Sequence, residues 1–309
     1  MQKILPSDLS HRDRHQLLLS GVAPRPIALV STVDEAGVGN ISPFSFFNAY
    51  GSKPPILAIG PAISAKTGAT KDTWRNIMAT KQCTVNVCTY SMVEAINLAS
   101  AEYPPDVDEF EKCGLSRVNA SIVTPPLVRE SPYSMECVLM ENIELRRDIG
   151  GNGNIMLLEV VCFHVSDSIM HDGQIDPRRM DLIARMGHDY YCRISPHSIF
   201  EVHKPGVPGI GVDALPEHIR TSVVLTGNHL AKLAGVQYLP MLDGSFPQFA
   251  KDFRADSVQI ELEGGRPDAA LFVLLSQGKQ RDRGIRHKIA AAFLDQNKIS
   301  EAWQTLLLE

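Results

Sequence analysis

Through the first two hundred residues, hydrophobic positions fall mostly in short runs with a period of two. Ile27–Thr32 is followed by the Gly- and Asp-rich segment Asp34–Asn40, so a hairpin is expected to continue through Ile41–Phe47. Pro43 brings no N–H to a ladder, which confines its segment to a sheet edge, a bulge or a loop. Further strands are expected at Ile56–Ile59, Thr84–Cys88, Ser134–Leu145 and Ile155–Ser166, the last two separated by the turn-rich Asp148–Asn154. Ile155–Val165 is apolar on both alternating faces: Ile155, Leu157, Val161, Phe163 and Val165 on one, Met156, Leu158, Val160 and Cys162 on the other. Such a strand belongs in a closed barrel or in a sheet covered by helices or a partner.

The period lengthens to a helical one in two places. Thr73–Thr80 sets Trp74, Ile77 and Met78 on one face, and Ser91–Ala101 does the same with Met92, Ala95, Ile96 and Ala99. Many strands joined by short Gly/Pro turns predict a mainly β fold with some α, an antiparallel barrel rather than a doubly wound sheet. No strand–G-x-G-x-x-G–helix unit is present. After the loop His203–Gly211 the pattern turns helical. Pro216–Ala234 reads as one or two helices broken near Gly227-Asn228, and Gln280–Leu308 as two more; Asp256–Leu275 admits a strand pair around Gly264-Gly265. No internal repeat is evident. The expected organisation is a barrel over residues 1–204 and a mostly helical extension of unassigned role over residues 205–309.

Composition narrows the function classes. The 309 residues carry a formal net charge of −5, with 44% hydrophobic and 21% charged residues, an ordinary globular balance. Mild acidity and only 6% aromatics argue against a nucleic-acid partner. The apolar stretches are shorter than the ~20 residues needed to cross a bilayer, and no signal-peptide region stands out. Six scattered cysteines without a C-x-x-C pair suit a reducing compartment. A cytoplasmic protein without membrane partners is expected.

Three patches concentrate chemistry: RPIALVST (Arg25–Thr32), NISPFSFFNAY (Asn40–Tyr50) and KDTWRNI (Lys71–Ile77). Asn40, Ser42 and Ser45 set short hydrogen-bonding groups beside Phe44 and Phe46, a mixture suited to a ligand with an aromatic body and a polar chain. Lys71 and Thr73 stand where a helix begins, so its free N–H groups, a cation and a hydroxyl converge as they would on a phosphate. Taken singly, each patch has a structural reading too: Asp72 or Thr73 caps the helix, and the Ser/Pro/Phe segment is a bulged strand.

Together with PDVDEFEKCG (Pro105–Gly114) and RMGHDYY (Arg185–Tyr191), these patches resemble the flavin reductase-like family of FMN-binding split barrels. The resemblance runs from about Arg25 to Arg193. It implies that Asn40, Ser42, Pro43, Phe44, Ser45 and Phe46 lie along a flavin ring and ribityl chain, with Thr32 nearby. It places Lys71, Asp72 and Thr73 at the FMN phosphate, and brings Arg185 and Tyr190 in from the late segment. It further implies FMN as cofactor, NAD(P)H as electron donor and a small-molecule or protein acceptor. Family members pair as homodimers with the cofactor at or beside the interface. Because the flavin carries the chemistry, no catalytic side chain and no metal are expected. Two alternatives share the same residues: a flavoredoxin or ferric-reductase-like electron carrier with bound FMN, and a non-enzymatic flavin-binding module. One departure is Gly187-His188, where the family usually has two glycines.

Other constellations read as structure. His11 and His15 are expected on a solvated helix rather than as metal ligands, and His164 as a hydrogen-bonded core residue. His171-Asp172 with Asp176 lines a pocket or forms a polar turn. The acidic run Asp106, Asp108, Glu109 and Glu111 is expected to be a solvated loop, folded over the cofactor, with cation binding as the alternative. No G-x-S-x-G elbow and no H-E-x-x-H motif occur. The segment Pro216–Ala234 is expected to pack on the barrel or on a dimer partner and to shape the acceptor pocket.

Overall fold

Seven antiparallel strands make the main sheet of the N-terminal half: β1 (Ala28–Val33), β2 (Gly39–Phe44), β3 (Phe47–Ser52), β4 (Pro55–Ile59), β5 (Gln82–Val87), β6 (Tyr133–Glu144) and β7 (Asn154–Val165). The computed structural model describes residues 1–64, 68–145, 153–249 and 254–308. The chain divides into two compact units, Met1–Phe200 and Glu201–Glu309. Most of the expected turn Asp148–Asn154 lies outside the described residues.

The strand order is β2-β1-β5-β6-β7-β4-β3, so β2 and β3, which follow one another in sequence, occupy opposite edges. Laid flat, six inter-strand steps of ~4.8 Å would separate them by roughly 29 Å. Only Ser45 and Phe46 connect the two, a link that reaches about 11 Å at most. The sheet must therefore curl until its edges meet, which makes it a split barrel. One pair beyond Phe47 and Ile59 in the β3–β4 ladder, Gly60 N–H donates to the Phe46 carbonyl at 2.8 Å. A Cβ on Gly60 would lie 2.8 Å from Phe46 Cβ, so glycine lets that ladder extend into the link between β2 and β3. The single strand expected over Ile41–Phe47 is thus two strands, and Pro43 lies on an edge as its missing donor requires.

Every residue of β1 is buried, because the strand has a core on each side. Ala28 and Val30 face the barrel interior with Phe44, Ile59, Val85 and Met156. Leu29 faces a second cluster with Ile41, Ile96 and Phe110, supplied by helices α3 (Val93–Leu98) and α4 (Glu109–Cys113). Helix α2 (Asp72–Thr80) places Ile77 in the barrel interior with Trp74 and Met78 packed against it. The period-two pattern of β7 does not run unbroken, because a bulge between Val160 and Cys162 shifts the register. Met156, Leu158 and Val160 are buried in the barrel, and Phe163 and Val165, which the bulge brings to that same face opposite Met135 and Tyr133, are 51% and 39% exposed. A small sheet of Arg25–Pro26, Ile183–Arg185 and Tyr191–Arg193 sets Arg185 directly opposite Arg25. Helix α1 (His11–Gly21), capped by Ser10, buries no side chain, as expected for a solvated helix.

The C-terminal unit is helical: α5 (Glu217–Arg220), α6 (Gly227–Ala234), α7 (Val258–Glu263), α8 (Pro267–Ser276), α9 (Arg283–Asp295) and α10 (Ile299–Leu307). The strand pair around Gly264-Gly265 does not form; helices α7 and α8 stand there instead. Ser257 caps α7 by accepting the Ile260 N–H, and Pro267 opens α8, where its missing donor costs nothing. Gly265, at φ +68°, makes the left-handed turn between them. The break expected near Gly227-Asn228 falls earlier, because Thr226 caps α6 and those residues begin it.

An internal repeat is present after all, and it is structural. The left-handed residues Gly265 and Asn297, at φ +68° and +59°, stand 32 residues apart between the helices of two hairpins, α7–α8 and α9–α10. Arg266 N–H donates to Glu261 O at 2.8 Å, and Lys298 N–H donates to Phe293 O at 2.9 Å, the same bond in both copies. Ala270 and Ala302 are fully buried at matching places. Few identities link the copies beyond such small and apolar positions, which is why the pattern does not surface in the sequence.

Candidate functional site

Asn40 is the hub of a buried polar network. Its side-chain carbonyl accepts hydrogen bonds from Thr73 Oγ1 at 2.8 Å and Thr32 Oγ1 at 3.3 Å, and its amide donates to Glu109 Oε2 at 2.6 Å. Asn76 Nδ2 donates to Thr32 Oγ1 at 3.0 Å, and Glu109 Oε2 also accepts the Ile41 N–H at 2.8 Å. Four elements thereby meet: Thr32 from β1, Asn40 from β2, Thr73 and Asn76 from α2, and Glu109 from α4. These bonds hold β2 against the start of α2. A cavity of about 190 Å³ opens beside the network, lined in part by Asp34, Asn40, Arg75, Asn76, Pro105 and Glu109.

Glu109 corrects the expectation of a solvated acidic loop. Asp108 caps the single-turn helix α4 by accepting the Phe110 N–H, and Gly114 ends it at φ +68°. That turn sends Phe110 and Glu109 inward together, leaving Glu109 only 6% exposed. Burial pushes its carboxyl up to about 7, against the lowering effects of the Ile41 N–H and of nearby Lys71. Arg25 and Asn76 are further members that the sequence reading did not single out. Arg25 Nε lies 3.4 Å from Ser45 Oγ, and its guanidinium donates to three backbone carbonyls, of Leu19, Val22 and Met186. Burial and the neighbouring Arg185 both lower its pKa.

The twelve residues expected at a cofactor divide into four groups. Thr32, Asn40 and Thr73 are buried in the network, and Phe44 is buried in the barrel core opposite Ala28. Ser42, Pro43 and Ser45 are half-buried along the seam, where Phe46 is 43% exposed. Lys71 and Asp72 begin α2 at the surface; Lys71 Nζ pairs with Glu102 at 2.9 Å, and Asp72 pairs with Arg75. Arg185 is joined to the seam through Arg25, stacks over Tyr191 at 4.6 Å and contacts the Tyr190 carbonyl at 3.4 Å. The Tyr190 ring is 72% exposed, and among the described residues no hydrogen bond links it to the network. His188 adopts φ +54°, the left-handed conformation that glycine takes most readily.

A second cluster is structural. Glu136, fully buried, accepts the N–H groups of Ser121, Ile122 and Val123 and the His164 ring at 2.6–2.8 Å. Burial alone would raise its carboxyl, but those bonds prevail and hold it down at about 2. Cys162 lies in the same group, yet the Glu136 oxygens are already filled by the chain. His164 is hydrogen-bonded as expected, but its side chain is 32% exposed, so it stands at the edge of the core rather than in it.

A family model described as a flavin reductase like domain matches residues 20–177. The chain belongs to the flavin reductase-like family. Nitrilotriacetate monooxygenase component B from Bacillus cereus is similar at 30% identity and a TM-score of 0.62, over 65% of this chain and 98% of that one. A split-barrel protein of flavin reductase type from Shewanella frigidimarina is similar at 27% identity and a TM-score of 0.56, over 64% of this chain and 96% of that one. An uncharacterized protein from Halalkalibacterium halodurans is 36% identical over 211 residues, 66% of this chain and 97% of its relative. These three proteins are thus matched over nearly their whole lengths, while about a third of this chain stays outside each match. Among the described residues no helix is long and apolar enough to cross a membrane.

Proposed function

We propose that the chain is an FMN-dependent oxidoreductase of flavin reductase type, drawing electrons from NAD(P)H. The observation that carries this reading is the Thr73–Asn40 hydrogen bond, which brings the seam strand and the start of α2 to one place. The residues there fit a phosphorylated flavin. The N-terminus of α2 has no side-chain cap, so its leading N–H groups are open to an anion, and the Lys71 cation stands at the capping position. The Lys71–Glu102 pair is exposed and therefore weak, so a phosphate displaces Glu102 at little cost. Ser42 and Ser45 offer hydroxyls along the seam, and Phe46 offers an accessible aromatic face.

Bound there, FMN supplies hydride acceptance from NAD(P)H and onward electron transfer. The chain's own part is to bind and orient. Lys71 and the α2 N–H groups fix the phosphate, Ser42 and Ser45 orient the polar chain, and Arg25 braces Ser45 from behind. The buried network gives this arrangement its rigidity. No proton needs to be held by a side chain for a hydride step, so none is assigned a catalytic role.

We read the exposed apolar side chains of β6 and β7 as the face that a second copy covers. Phe163 and Val165 are 51% and 39% exposed there, on the face they share with their cross-strand partners Met135 and Tyr133, a patch that suits a homodimer. The reading is tested by an absorption spectrum of FMN-loaded protein before and after anaerobic NADPH. Bleaching near 450 nm is expected; a flavin that binds but stays oxidised with both nicotinamides would leave a binding role only.

A further inference from the structure

The helical unit carries a device independent of the barrel. Helical hairpins that repeat and stack expose their first helices along one side, and solenoid proteins take up partners there. The first helices of the two hairpins are α7 and α9, and a hollow of about 360 Å³ lies between them. Its floor includes Leu262, Ala291 and Ala292, and its rim carries Glu263, Lys288 and Asp295.

Glu263 and Asp295 hold equivalent places, each the last residue of its helix and 32 residues apart. A carboxylate there sits at the negative end of the helix dipole, an unfavourable position that both copies nevertheless keep. Glu263 accepts the Gln259 amide at 2.6 Å, and Asp295 accepts the His229 ring at 2.9 Å. Among the described residues neither is paired with a lysine or arginine, and Lys288 has no carboxylate partner. The two carboxylates outnumber the one lysine at the rim, so the edge of the hollow is net acidic.

We propose that this hollow docks a peptide segment of a partner protein. An apolar side chain rests on Leu262, Ala291 and Ala292, and a neighbouring lysine or arginine reaches Glu263 and Asp295. Two carboxylates against one lysine select a basic segment over an acidic one and repel a nucleic-acid backbone.

Fluorescein-labelled nonapeptides of glycine and serine with a central Leu-Lys-Leu, Leu-Glu-Leu or Leu-Ser-Leu triplet test this by fluorescence polarisation against the full chain. The lysine peptide should bind about tenfold or more tighter than the glutamate peptide, and Glu263→Lys should abolish or reverse that order. Circular dichroism checks that the variant folds, and Glu263→Gln, which keeps the side-chain shape, should remove most of the preference if Glu263→Lys does not fold. Equal affinity for the three peptides overturns the proposal. So does a preference that survives substitution of Glu263.

Discussion

Thr73 donates its hydroxyl to the side-chain carbonyl of Asn40 at 2.8 Å, across a sequence separation of 33 residues. Both side chains are buried, so little solvent competes for the bond. Thr73→Val keeps the shape and removes the donor, and should lower unfolding stability by about 1 kcal/mol. Asn40→Ala removes three hydrogen bonds at once, those to Thr73, Thr32 and Glu109, and should cost roughly 2–3 kcal/mol. Urea unfolding of both variants checks the order; a smaller loss for Asn40→Ala would remove Asn40 from the hub.

Glu109 makes stability fall as pH rises. Its folded pKa of about 7 lies above its ordinary 4.5, so the folded state retains a proton that the unfolded chain has released. The contribution is full below 4.5, is lost between about 4.5 and 7, and is constant above. Glu109→Gln imitates the protonated form and keeps an oxygen for Asn40 and Ile41. The difference in stability between wild type and Glu109→Gln should therefore change over pH 4.5–7, and a difference independent of pH there would contradict the assignment.

Glu136 acts at the other end of the scale with the opposite sign. Its folded pKa of about 2 lies below 4.5, so its contribution is present above 4.5 and is lost as pH falls towards 2. Glu136→Gln gives up a charged acceptor of three N–H groups and should cost on the order of 1–3 kcal/mol at pH 7. Acid titration followed by circular dichroism should find the variant's stability less sensitive to pH below 4.5 than that of wild type.

Phe163, half-exposed on β7 and stacked on Tyr133 at 6.2 Å between ring centres, tests the pairing face. A charge in the core of an interface is costly, so Phe163→Asp should convert a dimer to a monomer in sedimentation velocity. Dimers of unchanged affinity would move the interface elsewhere.

Much of the barrel is legible in the pattern of residues, because β1, β5 and β6 alternate between a core and a second layer. The separation of β2 from β3 is not, since nothing in Ser45-Phe46 announces that the chain crosses between sheet edges. Asp108 and Gly114 do spell a short helix, but the partner of Glu109 is Asn40, 69 residues away, and that distance hides the burial of its carboxylate. Asp256–Leu275 misleads because Leu271–Leu275 is apolar all round, a run that helix and strand share until Ser257 and Pro267 are weighed as start signals.

The most direct measurement of the central claim compares FMN with riboflavin, which lacks the phosphate, by quenching of flavin fluorescence on titration with the full chain. FMN should bind at least about tenfold more tightly, and Lys71→Ala should weaken FMN binding by ~1–3 kcal/mol while leaving riboflavin almost unaffected. Equal affinity for the two flavins, or an unchanged affinity of Lys71→Ala for FMN, would contradict the assignment of the α2 N-terminus as the phosphate site.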